Sequence, residues 1–392
     1  MECAEAGVEV GAQMTIACSR RRFISRVAAL GAACASAGRH AYALPTAPVA
    51  VARCRRYDFN LVKSTLFTMF DQLGGIPNLV KGKTVTIKVN VTGGMSAPIY
   101  TLSAVETVYT HPIVVLASAS LFYDFGARRI VICESLYDLA DGRTAFQKSG
   151  YDVAAFESTV PVVEWENTRN RGTGSGYGQM SVPGQPYLYS RFTLNHRYVN
   201  TDVMVSIPKM KNHQIAGVTL AMKNLFGITP SSLYSGVDQD EASLGNRVAV
   251  LHDGTIAAAG EEVFPVPSTL PGYRVPRAVV DIVSARPIDL SVIDGVVSMQ
   301  GGEGVWQGTR VGLVAPGLFI AGRNSVCTDA VATAIMGYDP EAAEGAKPFY
   351  NGANMLALAA LRGLGTNKLA DIPVTGLSVA QARYSFLPVF KE

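Results

Sequence analysis

The stretch that decides the fold is residues 203–227, VMVSIPKMKNHQIAGVTLAMKNLFG. It opens with an apolar, β-branched run that is typical of a buried strand, and Pro208 ends that run. Beyond the proline, Lys209, Lys211 and His213 occupy alternate positions. Alternate side chains of an extended chain point to the same side. The sequence therefore predicts two ammonium groups and an imidazole that face one spot just past the end of a strand.

The second half of this stretch has the pattern of a short amphipathic helix. Its apolar stripe ends at Gly227, a residue typical of a helix C-terminus, and Lys223 and Asn224 lie beside the stripe. Open α/β sheets hold their ligands at the carboxyl ends of their strands. So many donors at that place favour an anionic or polar ligand. The alternative is a solvated basic loop that joins a strand to a helix.

The rest of the chain alternates strand and helix patterns, which predicts an α/β fold with a largely parallel sheet and helices on both faces. Apolar runs predict strands at residues 83–89, 129–133, 202–207, 278–283, 290–293 and 318–321, and helical patterns cover residues 111–125, 325–336 and about 349–361. Two segments rich in glycine, proline and polar residues are expected to be insertions that overhang the ligand edge of the sheet: 169–186, as a surface loop or hairpin, and 238–276.

The N-terminus indicates export. Residues 19–24, SRRRFI, fit the twin-arginine pattern. A moderately apolar run follows at 27–37, with one small-x-small cleavage site at its end (35–37) and a second just after it (41–43). We expect residues 1–43 to be a twin-arginine signal peptide, with Met14 as an alternative start codon. The export machinery would then be a partner, and the mature protein would reach the periplasm or the extracellular space. The alternative is a disordered basic tail.

Composition narrows the class of protein. The chain is 48% hydrophobic and 17% charged, and its net charge of +3 includes the basic signal segment. It has no basic helix or aromatic–basic stripe, which disfavours nucleic-acid binding, and no run after the signal is long enough to remain as a membrane span. Cys54, Cys133 and Cys327 are too few and too scattered for a four-cysteine iron–sulfur cluster. The identity of any other cofactor stays open.

Polar side chains end several of the predicted strands or follow them closely. They are Lys88, Asn90, Glu134, Ser135, Asp294, Glu303 and Asp329. Because carboxyl ends of parallel strands converge, we expect these side chains to share one crevice with the lysines. Each has a simpler alternative: Glu134 only pairs with Lys88, Asp294 is a turn residue, and Asp329 only favours a helix N-terminus. The three carboxylates of Asp294, Glu303 and Asp329 are also feasible ligands for Mg²⁺ or Ca²⁺.

Several of these segments resemble the DUF362 family. They are IKVN (87–90), SIPKMKNH (206–213), TLAMKNLFG (219–227), IDGVVSMQGGEGVWQG (293–308), AGRNSVCTDAVATAIMGYDP (321–340) and Gly-Leu-Gly (363–365). The resemblance spans most of the chain after about residue 80, and Lys-x-Lys-x-His followed by Lys-Asn-Leu-Phe-Gly is its most specific part. Val89 departs from the pattern, because the family commonly has a proline in its lysine–asparagine strand-end motif.

This resemblance implies a DUF362-like α/β domain over residues 81–392, after an N-terminal linker and helix over residues 44–80. It names no reaction, since the family has no assigned biochemical function. Some members carry a ferredoxin-like module with cysteine-ligated clusters, whose cysteines this chain lacks. The positions that match the family are Lys88, Asn90, Lys209, Lys211, His213, Lys223, Asn224, Asp294, Glu303 and Asp329.

Two classes of function fit these residues. The first is an exported enzyme that acts on a small anionic or carbonyl-bearing molecule, with Lys209 and Lys211 on the anion, His213 as general acid/base and Asp294 as an orienting group. The lysines should lower the pKa of His213. The remaining matched positions would bind the ligand or a cation: Lys88, Asn90, Lys223, Asn224, Glu303 and Asp329. The second class is a non-catalytic binding or accessory protein of the cell envelope that uses the same crevice.

The signal pattern generates the first testable prediction. Changing Arg20 and Arg21 together to lysine should retain the precursor in the cytoplasm, because the twin-arginine pair is the feature that the export machinery reads. Cell fractionation followed by immunoblotting measures this. Undiminished export of the double variant would contradict the prediction.

Overall fold

The computed structural model describes residues 45–94, 96–172, 176–236, 240–258, 260–263 and 268–391. The predicted signal peptide, with Arg20 and Arg21, lies outside these ranges. Short, mostly apolar segments form the strands of the described residues: β1 (Val49–Arg53), β2 (Thr84–Val89), β3 (Arg129–Glu134), β4 (Val163–Asn167), β5 (Tyr177–Ser181), β6 (Arg191–Asn195), β7 (Val203–Ile207), β8 (Lys211–His213), β9 (Gly217–Thr219), β10 (Leu290–Gly295), β11 (Ser298–Gln300), β12 (Gly312–Val314), β13 (Leu318–Gly322) and β14 (Val374–Gly376).

Eight of these strands form one sheet, in the order β14-β1-β13-β10-β7-β2-β3-β4. Strands β10, β7, β2, β3 and β4 run parallel to one another, and β1 runs parallel to β14. Strand β13 is antiparallel to both β1 and β10. In the register at the centre of the sheet, Ile87 of β2 lies opposite Val205 of β7 and Ile132 of β3. The sheet is therefore largely parallel, as the apolar runs predicted.

Helices cover both faces of the sheet. In chain order they are α1 (Phe59–Gln72), α2 (Pro77–Val80), α3 (Ala104–Thr107), α4 (Pro112–Asp124), α5 (Gly142–Lys148), α6 (Val153–Thr159), α7 (His196–Val199), α8 (Ala221–Asn224), α9 (Ser231–Tyr234), α10 (Pro271–Ala285), α11 (Ser325–Ile335), α12 (Met355–Leu361) and α13 (Val379–Ala382).

Strand alternation divides the buried apolar side chains into two cores. In β3, Ile130 and Ile132 belong to one core, while Val131 and Cys133 belong to the other. Helices α1 and α4 pack into the first core, and α8, α10, α11 and α12 pack into the second. The period-2 pattern of buried strands thus produces an α/β fold in three layers.

Three pairs of short strands lie outside the main sheet. Strands β5 and β6 form an antiparallel pair, so the segment predicted as a loop or hairpin at 169–186 supplies one strand of a ribbon. Strand β8 pairs with β9, and β11 pairs with β12. The pair β8–β9 follows β7 directly, which brings Lys211 and His213 to the carboxyl end of the sheet.

Two expectations about secondary structure need correction. Residues 278–283 are not a strand but part of helix α10. The valines and isoleucine of this six-residue run favour a strand in so short a window, whereas Arg274, Arg277, Asp281 and Ser284 recur at helical spacing over the whole helix. Residues 44–80 are more than a linker and a helix, because β1 pairs with β13 and β14 inside the main sheet.

Within the described part of the chain, no helix has both the length and the apolar character needed to cross a membrane.

A buried ion pair joins two parallel strands of this sheet. Lys209, just after β7, forms a backbone bridge with Asp294 of β10, and its Nζ lies 2.7 Å from the Asp294 carboxylate. Both side chains are fully buried. The ends of β7 and β10 are therefore locked together by charge as well as by backbone hydrogen bonds.

Lys209→Met should lower the free energy of unfolding by about 3–5 kcal/mol, because it leaves the Asp294 carboxylate buried without its partner. Chemical denaturation measures this loss. The matched control is Arg143→Met, which removes an exposed ion pair of 2.9 Å with Glu157 and should cost far less. Similar losses for the two variants would contradict a structural role for the Lys209–Asp294 pair.

Candidate functional site

A cavity of about 490 Å³ opens at the carboxyl ends of β2 and β3, beside the β8–β9 pair. We call it the basic cavity. Its ionisable side chains are Lys88, Glu134, Tyr137, Lys211, His213, Lys223, Arg247, His252 and Glu303. A second hollow of about 480 Å³ lies at the amino ends of the same strands, where Arg129 and Glu164 neutralise each other at 2.5 Å. Ligands of open parallel sheets bind at carboxyl ends, which singles out the basic cavity.

Seven of the ten residues predicted for the site line the basic cavity. They are Lys88, Asn90, Lys211, His213, Lys223, Asn224 and Glu303. The other three, Lys209, Asp294 and Asp329, are fully buried elsewhere. The convergence of strand ends therefore brought most of the predicted residues together.

Lys88 is a paired cation at the back of the cavity. Its Nζ lies 2.7 Å from Glu134 at the end of β3, and it donates to the carbonyl of Val89 at 2.6 Å and to Asn224 Oδ1 at 3.2 Å. Burial lowers the pKa of Lys88, and the Glu134 carboxylate opposes that shift. The simpler alternative for Glu134, an ion pair with Lys88, is therefore what the structure contains.

Asn224 ties helix α8 to the sheet. Its side-chain amide donates to the carbonyl of Lys88 and to Ser206 Oγ, both at 3.0 Å, while its oxygen accepts from Lys88. These bonds use both ends of the amide. Asn224 thus positions its neighbour Lys223 rather than offering a free donor, which revises its predicted role as a ligand contact.

Lys211 is held without a carboxylate. Its Nζ donates to the carbonyl of Glu303 at 2.8 Å, the carbonyl of Val108 at 3.1 Å and Thr92 Oγ1 at 3.3 Å. Burial lowers its pKa to about 7, with the Glu303 carboxylate acting in the opposite direction. Neutral oxygens orient this amine but do not cancel its charge.

Lys223 has a different environment. Among the described residues, no hydrogen-bond acceptor or carboxylate contacts its Nζ, which lies 4.1 Å from the centre of the Phe226 ring. The residue is 8% exposed, and burial lowers its pKa to about 7. A lysine amine is thus directed at the cavity without a protein oxygen to bind.

His213 is fixed by its own chain. Its Nδ1 accepts from the backbone N–H groups of Ile215 at 3.1 Å and Ala216 at 3.2 Å, so the proton of the neutral ring is on Nε2. Burial lowers the pKa of His213 to about 3; Glu303 opposes this shift, and Lys223 adds to it. The predicted direction is confirmed, although burial contributes more than the lysines. With Nδ1 occupied, His213 offers the cavity a neutral N–H donor rather than a general base.

Glu303 holds the glycine-rich loop against β8. Its carboxylate accepts from the backbone N–H of Gln214 at 2.8 Å and from Trp306 Nε1 at 3.4 Å. Burial would raise the pKa of Glu303, but the Gln214 N–H and the nearby basic groups lower it to about 2. The 3.9 Å approach to His213 Nδ1 is no ion pair, because that ring is neutral.

The sequence did not single out Arg247 and His252. Arg247 donates to the carbonyl of Thr229 at 2.7 Å, and burial lowers its pKa. Burial also lowers the pKa of His252 to about 4, and the edge of its ring meets Phe226. His252 ends the turn Val248–His252, and Arg247 is the residue before that turn. Both belong to the insertion that was expected to overhang the ligand edge. That expectation was the only signal that could have found them.

The predicted catalytic roles of Lys209 and Asp294 need correction. Besides Asp294, Lys209 Nζ donates to Tyr57 Oη at 3.0 Å and to the carbonyls of Val297 and Glu106. Asp294 also accepts from Tyr57 Oη and from the backbone N–H of His111. This closed network leaves no atom for a ligand, and it lies outside the basic cavity.

Asp329 likewise binds the protein itself. Its carboxylate accepts from the backbone N–H groups of Ala221 at 2.9 Å and Met222 at 2.8 Å, at the start of α8. The simpler alternative, a carboxylate that stabilises a helix N-terminus, is therefore the one found. The helix that Asp329 stabilises is α8, whereas Asp329 itself belongs to α11. Because Asp294, Glu303 and Asp329 have separate partners, they form no cation site. Within the described ranges, no group of three His, Cys, Asp or Glu side chains could hold a metal ion.

Positive charge exceeds negative charge in the basic cavity. Lys88 and Glu134 neutralise each other, whereas Lys211, Lys223 and Arg247 have no carboxylate within ion-pair distance among the described residues. The ionised Glu303 carboxylate offsets part of this charge without forming an ion pair with these three groups. Buried cations that are incompletely balanced are costly, and an anionic ligand would relieve that cost. The cavity is therefore chemically suited to a small anion.

The chain belongs to the family described as Domain of unknown function (DUF362), whose family model matches residues 85–334. It is similar to the Thylakoid-associated protein sll1697 of Synechocystis sp. (strain ATCC 27184 / PCC 6803 / Kazusa). The two are 24% identical over 294 residues, which cover 74% of this chain and 75% of that protein.

Two solved structures show distant similarity. One is a Thermotoga maritima protein, 15% identical with a TM-score of 0.36 over 70% of this chain and 57% of that chain. The other is the lactate racemase apoprotein of Thermoanaerobacterium thermosaccharolyticum, 12% identical with a TM-score of 0.31 over 64% of this chain and 51% of that chain. The chain spans a little over half of each of these structures, and neither likeness is close enough to carry an argument about activity.

Asp329 gives a prediction with a defined pH dependence. Burial raises its pKa from 3.8 to about 7, so between these values the folded protein keeps a proton that the unfolded chain releases. The free energy of unfolding therefore falls as pH rises through this window. Asp329→Asn cannot titrate and should lack this fall. By chemical denaturation, the stability advantage of the wild type over the variant should shrink between about pH 5 and pH 8. An advantage that is equal at both pH values would contradict the assignment.

Proposed function

We propose that this DUF362 protein is an exported enzyme that binds a small anionic, carbonyl-bearing molecule in the basic cavity. The observation that carries the proposal is the set of three basic side chains, Lys211, Lys223 and Arg247, that line the cavity without a carboxylate within ion-pair distance among the described residues. A buried site of this composition discriminates for negative charge, because only an anion restores the solvation that the cations have lost.

Each side chain has a distinct role in this proposal. Arg247 donates to the anionic group through guanidinium N–H groups that no described residue accepts, which is the arrangement that charge-assisted hydrogen bonding favours. Lys211 adds positive charge beside that group, because protein oxygens already accept its three N–H groups. The Nε2–H of His213 donates to the carbonyl oxygen and stabilises negative charge that develops on it. Lys223 is the reactive group, since its amine lacks a protein acceptor and burial lowers its pKa to about 7. A group with a pKa near the working pH is the most effective in proton transfer.

Export is the second half of the proposal. The SRRRFI motif supports delivery by the twin-arginine machinery to the periplasm or the extracellular space. That motif lies outside the described residues. The fractionation experiment on Arg20 and Arg21 tests this half independently of the cavity.

Calorimetric titration with pyruvate and with inorganic phosphate tests the cavity. Lys211→Met and Arg247→Met should each weaken binding roughly ten- to a hundredfold, because each loses a charged interaction of about 1.5–3 kcal/mol. The exposed Lys368→Met is the matched control and should bind like the wild type. Affinity should fall as pH rises above about 7, where Lys211 loses its proton in the free protein. Equal affinities for the wild type and both cavity variants would reject the anion site.

A non-catalytic accessory protein is the second candidate function. It is favoured because no hydroxyl of the described cavity residues is hydrogen-bonded to a histidine or carboxylate base. Proton exchange separates the two candidates: an enzyme of the proposed kind should exchange the methyl protons of pyruvate in D₂O, as followed by ¹H NMR. His213→Phe should slow this exchange, because it removes the donor to the carbonyl oxygen. Binding without any exchange would favour the accessory protein.

A further inference from the structure

Lys223 differs from every other buried lysine of the described chain in what its amine contacts. Lys88, Lys209 and Lys211 each donate to three or more oxygens. Among the described residues, Lys223 Nζ contacts only the face of the Phe226 ring, at 4.1 Å. Protein oxygens thus satisfy the hydrogen bonds of three of these lysines, whereas the amine of Lys223 is available to a ligand.

The backbone that carries Lys223 is rigidly anchored. Asp329 accepts two backbone N–H groups at the start of α8, and Asn224 binds both the Lys88 carbonyl and Ser206. These contacts fix the residues on both sides of Lys223 while leaving its Nζ unbound. An amine held in this way reaches a ligand atom without having to break a protein hydrogen bond.

The surroundings also favour the neutral amine, which is the nucleophilic form. Burial disfavours the ammonium form; the Glu303 carboxylate opposes this, the guanidinium of Arg247 adds to it, and the pKa of Lys223 falls to about 7. At neutral pH a substantial fraction of the molecules then carries a free amine. A desolvated lysine beside another cation is a recognised way to activate an amine toward carbonyl carbon.

We propose that Lys223 forms an imine with the carbonyl carbon of a 2-oxo acid. This inference rests on the proposed function, and it specifies both the covalent step and the substrate class. The Nζ lone pair forms a bond to the carbonyl carbon while the carbonyl electron pair moves to oxygen. The two hydrogens of the amine then leave with that oxygen as water, and a C=N bond replaces the C=O bond. No oxidant or reductant is consumed.

The neighbouring groups select a 2-oxo acid among carbonyl compounds. A carboxylate next to the reacting carbon would accept from Arg247 and be attracted by the charge of Lys211, both of which line the same cavity. The neutral His213 donates from Nε2 to the carbonyl oxygen as it gains negative charge. A simple aldehyde or ketone has no group for the two cations, and a 2-hydroxy acid has no carbon that the amine can attack.

Reductive trapping tests the imine. The mature protein is incubated with pyruvate, treated with sodium borohydride and measured by intact mass spectrometry, followed by peptide mapping. Borohydride transfers hydride to the imine carbon and fixes a secondary amine, which adds the mass of pyruvate minus water plus one hydrogen molecule. We expect one adduct, located on Lys223, and at least a tenfold lower yield in Lys223→Arg. The exposed Lys368→Arg should be labelled like the wild type.

Further measurements keep this test decisive. Thermal melts establish that Lys223→Arg is folded, and Lys211→Met should lower the adduct yield at limiting pyruvate by weakening its binding. Lactate, which carries the carboxylate without the carbonyl, should compete with trapping but form no adduct. Labelling spread evenly over exposed lysines would overturn the inference.

The imine and the cavity function can fail separately. Calorimetric binding of pyruvate that depends on Lys211 and Arg247, without any borohydride adduct, overturns the imine and leaves the anion-binding function standing. If pyruvate, lactate and phosphate all fail to bind, both proposals are overturned. If Lys223→Arg is folded and still gives the wild-type adduct yield, the assignment to Lys223 is overturned.

Discussion

The buried pair of Lys209 and Asp294 is the interaction on which the arrangement of the ligand edge depends. The Asp294 carboxylate accepts from Lys209, from Tyr57 ahead of α1 and from the backbone N–H of His111 at the start of α4. The backbone of Asp294 also exchanges hydrogen bonds with Pro208 and Met210 on either side of the lysine. Asp294 thus holds together β10, the residues that follow β7, and the segments that lead into α1 and α4. A buried carboxylate with so many donors cannot move without exposing an unpaired charge.

From this fixed point the chain continues into β8, where Lys211 and His213 turn to the basic cavity. The alternation of Lys209, Lys211 and His213 thus correctly predicted polar groups near a strand end. Only Lys211 and His213 line the cavity, however, while Lys209 is buried outside it. Lys209 meets a carboxylate and becomes part of the framework. Lys211 meets only neutral oxygens and keeps its charge for a ligand. The difference lies in the partner that each lysine meets in space, and spacing along the chain cannot reveal that partner.

The same reasoning explains how much the sequence could predict. Strands β2, β3, β7, β10 and β13 were predictable because each is a short apolar run bounded by polar residues, and the convergence of their ends predicted seven of the ten site residues. Helix α10 was misread because its β-branched run favours a strand in a short window, while the helical spacing of Arg274, Arg277 and Asp281 shows only over a longer segment. Arg247 and His252 were missed because they lie in an insertion without periodicity, where only the tertiary fold brings them over the cavity.

The two lysines of the cavity that lack a carboxylate partner, Lys211 and Lys223, differ in protonation state. Burial moves the pKa of both Lys211 and Lys223 to about 7, and the charge on Lys223 further disfavours the charge on Lys211. Hydrogen bonds to an ammonium group favour it, and Lys211 has three such bonds whereas Lys223 has none among the described residues. As pH rises, Lys223 should therefore give up its proton first. A carboxylate bound near Lys211 strengthens this order, because its charge stabilises the ammonium form of that lysine. The cavity can then hold an anion with one lysine while the other remains a neutral amine.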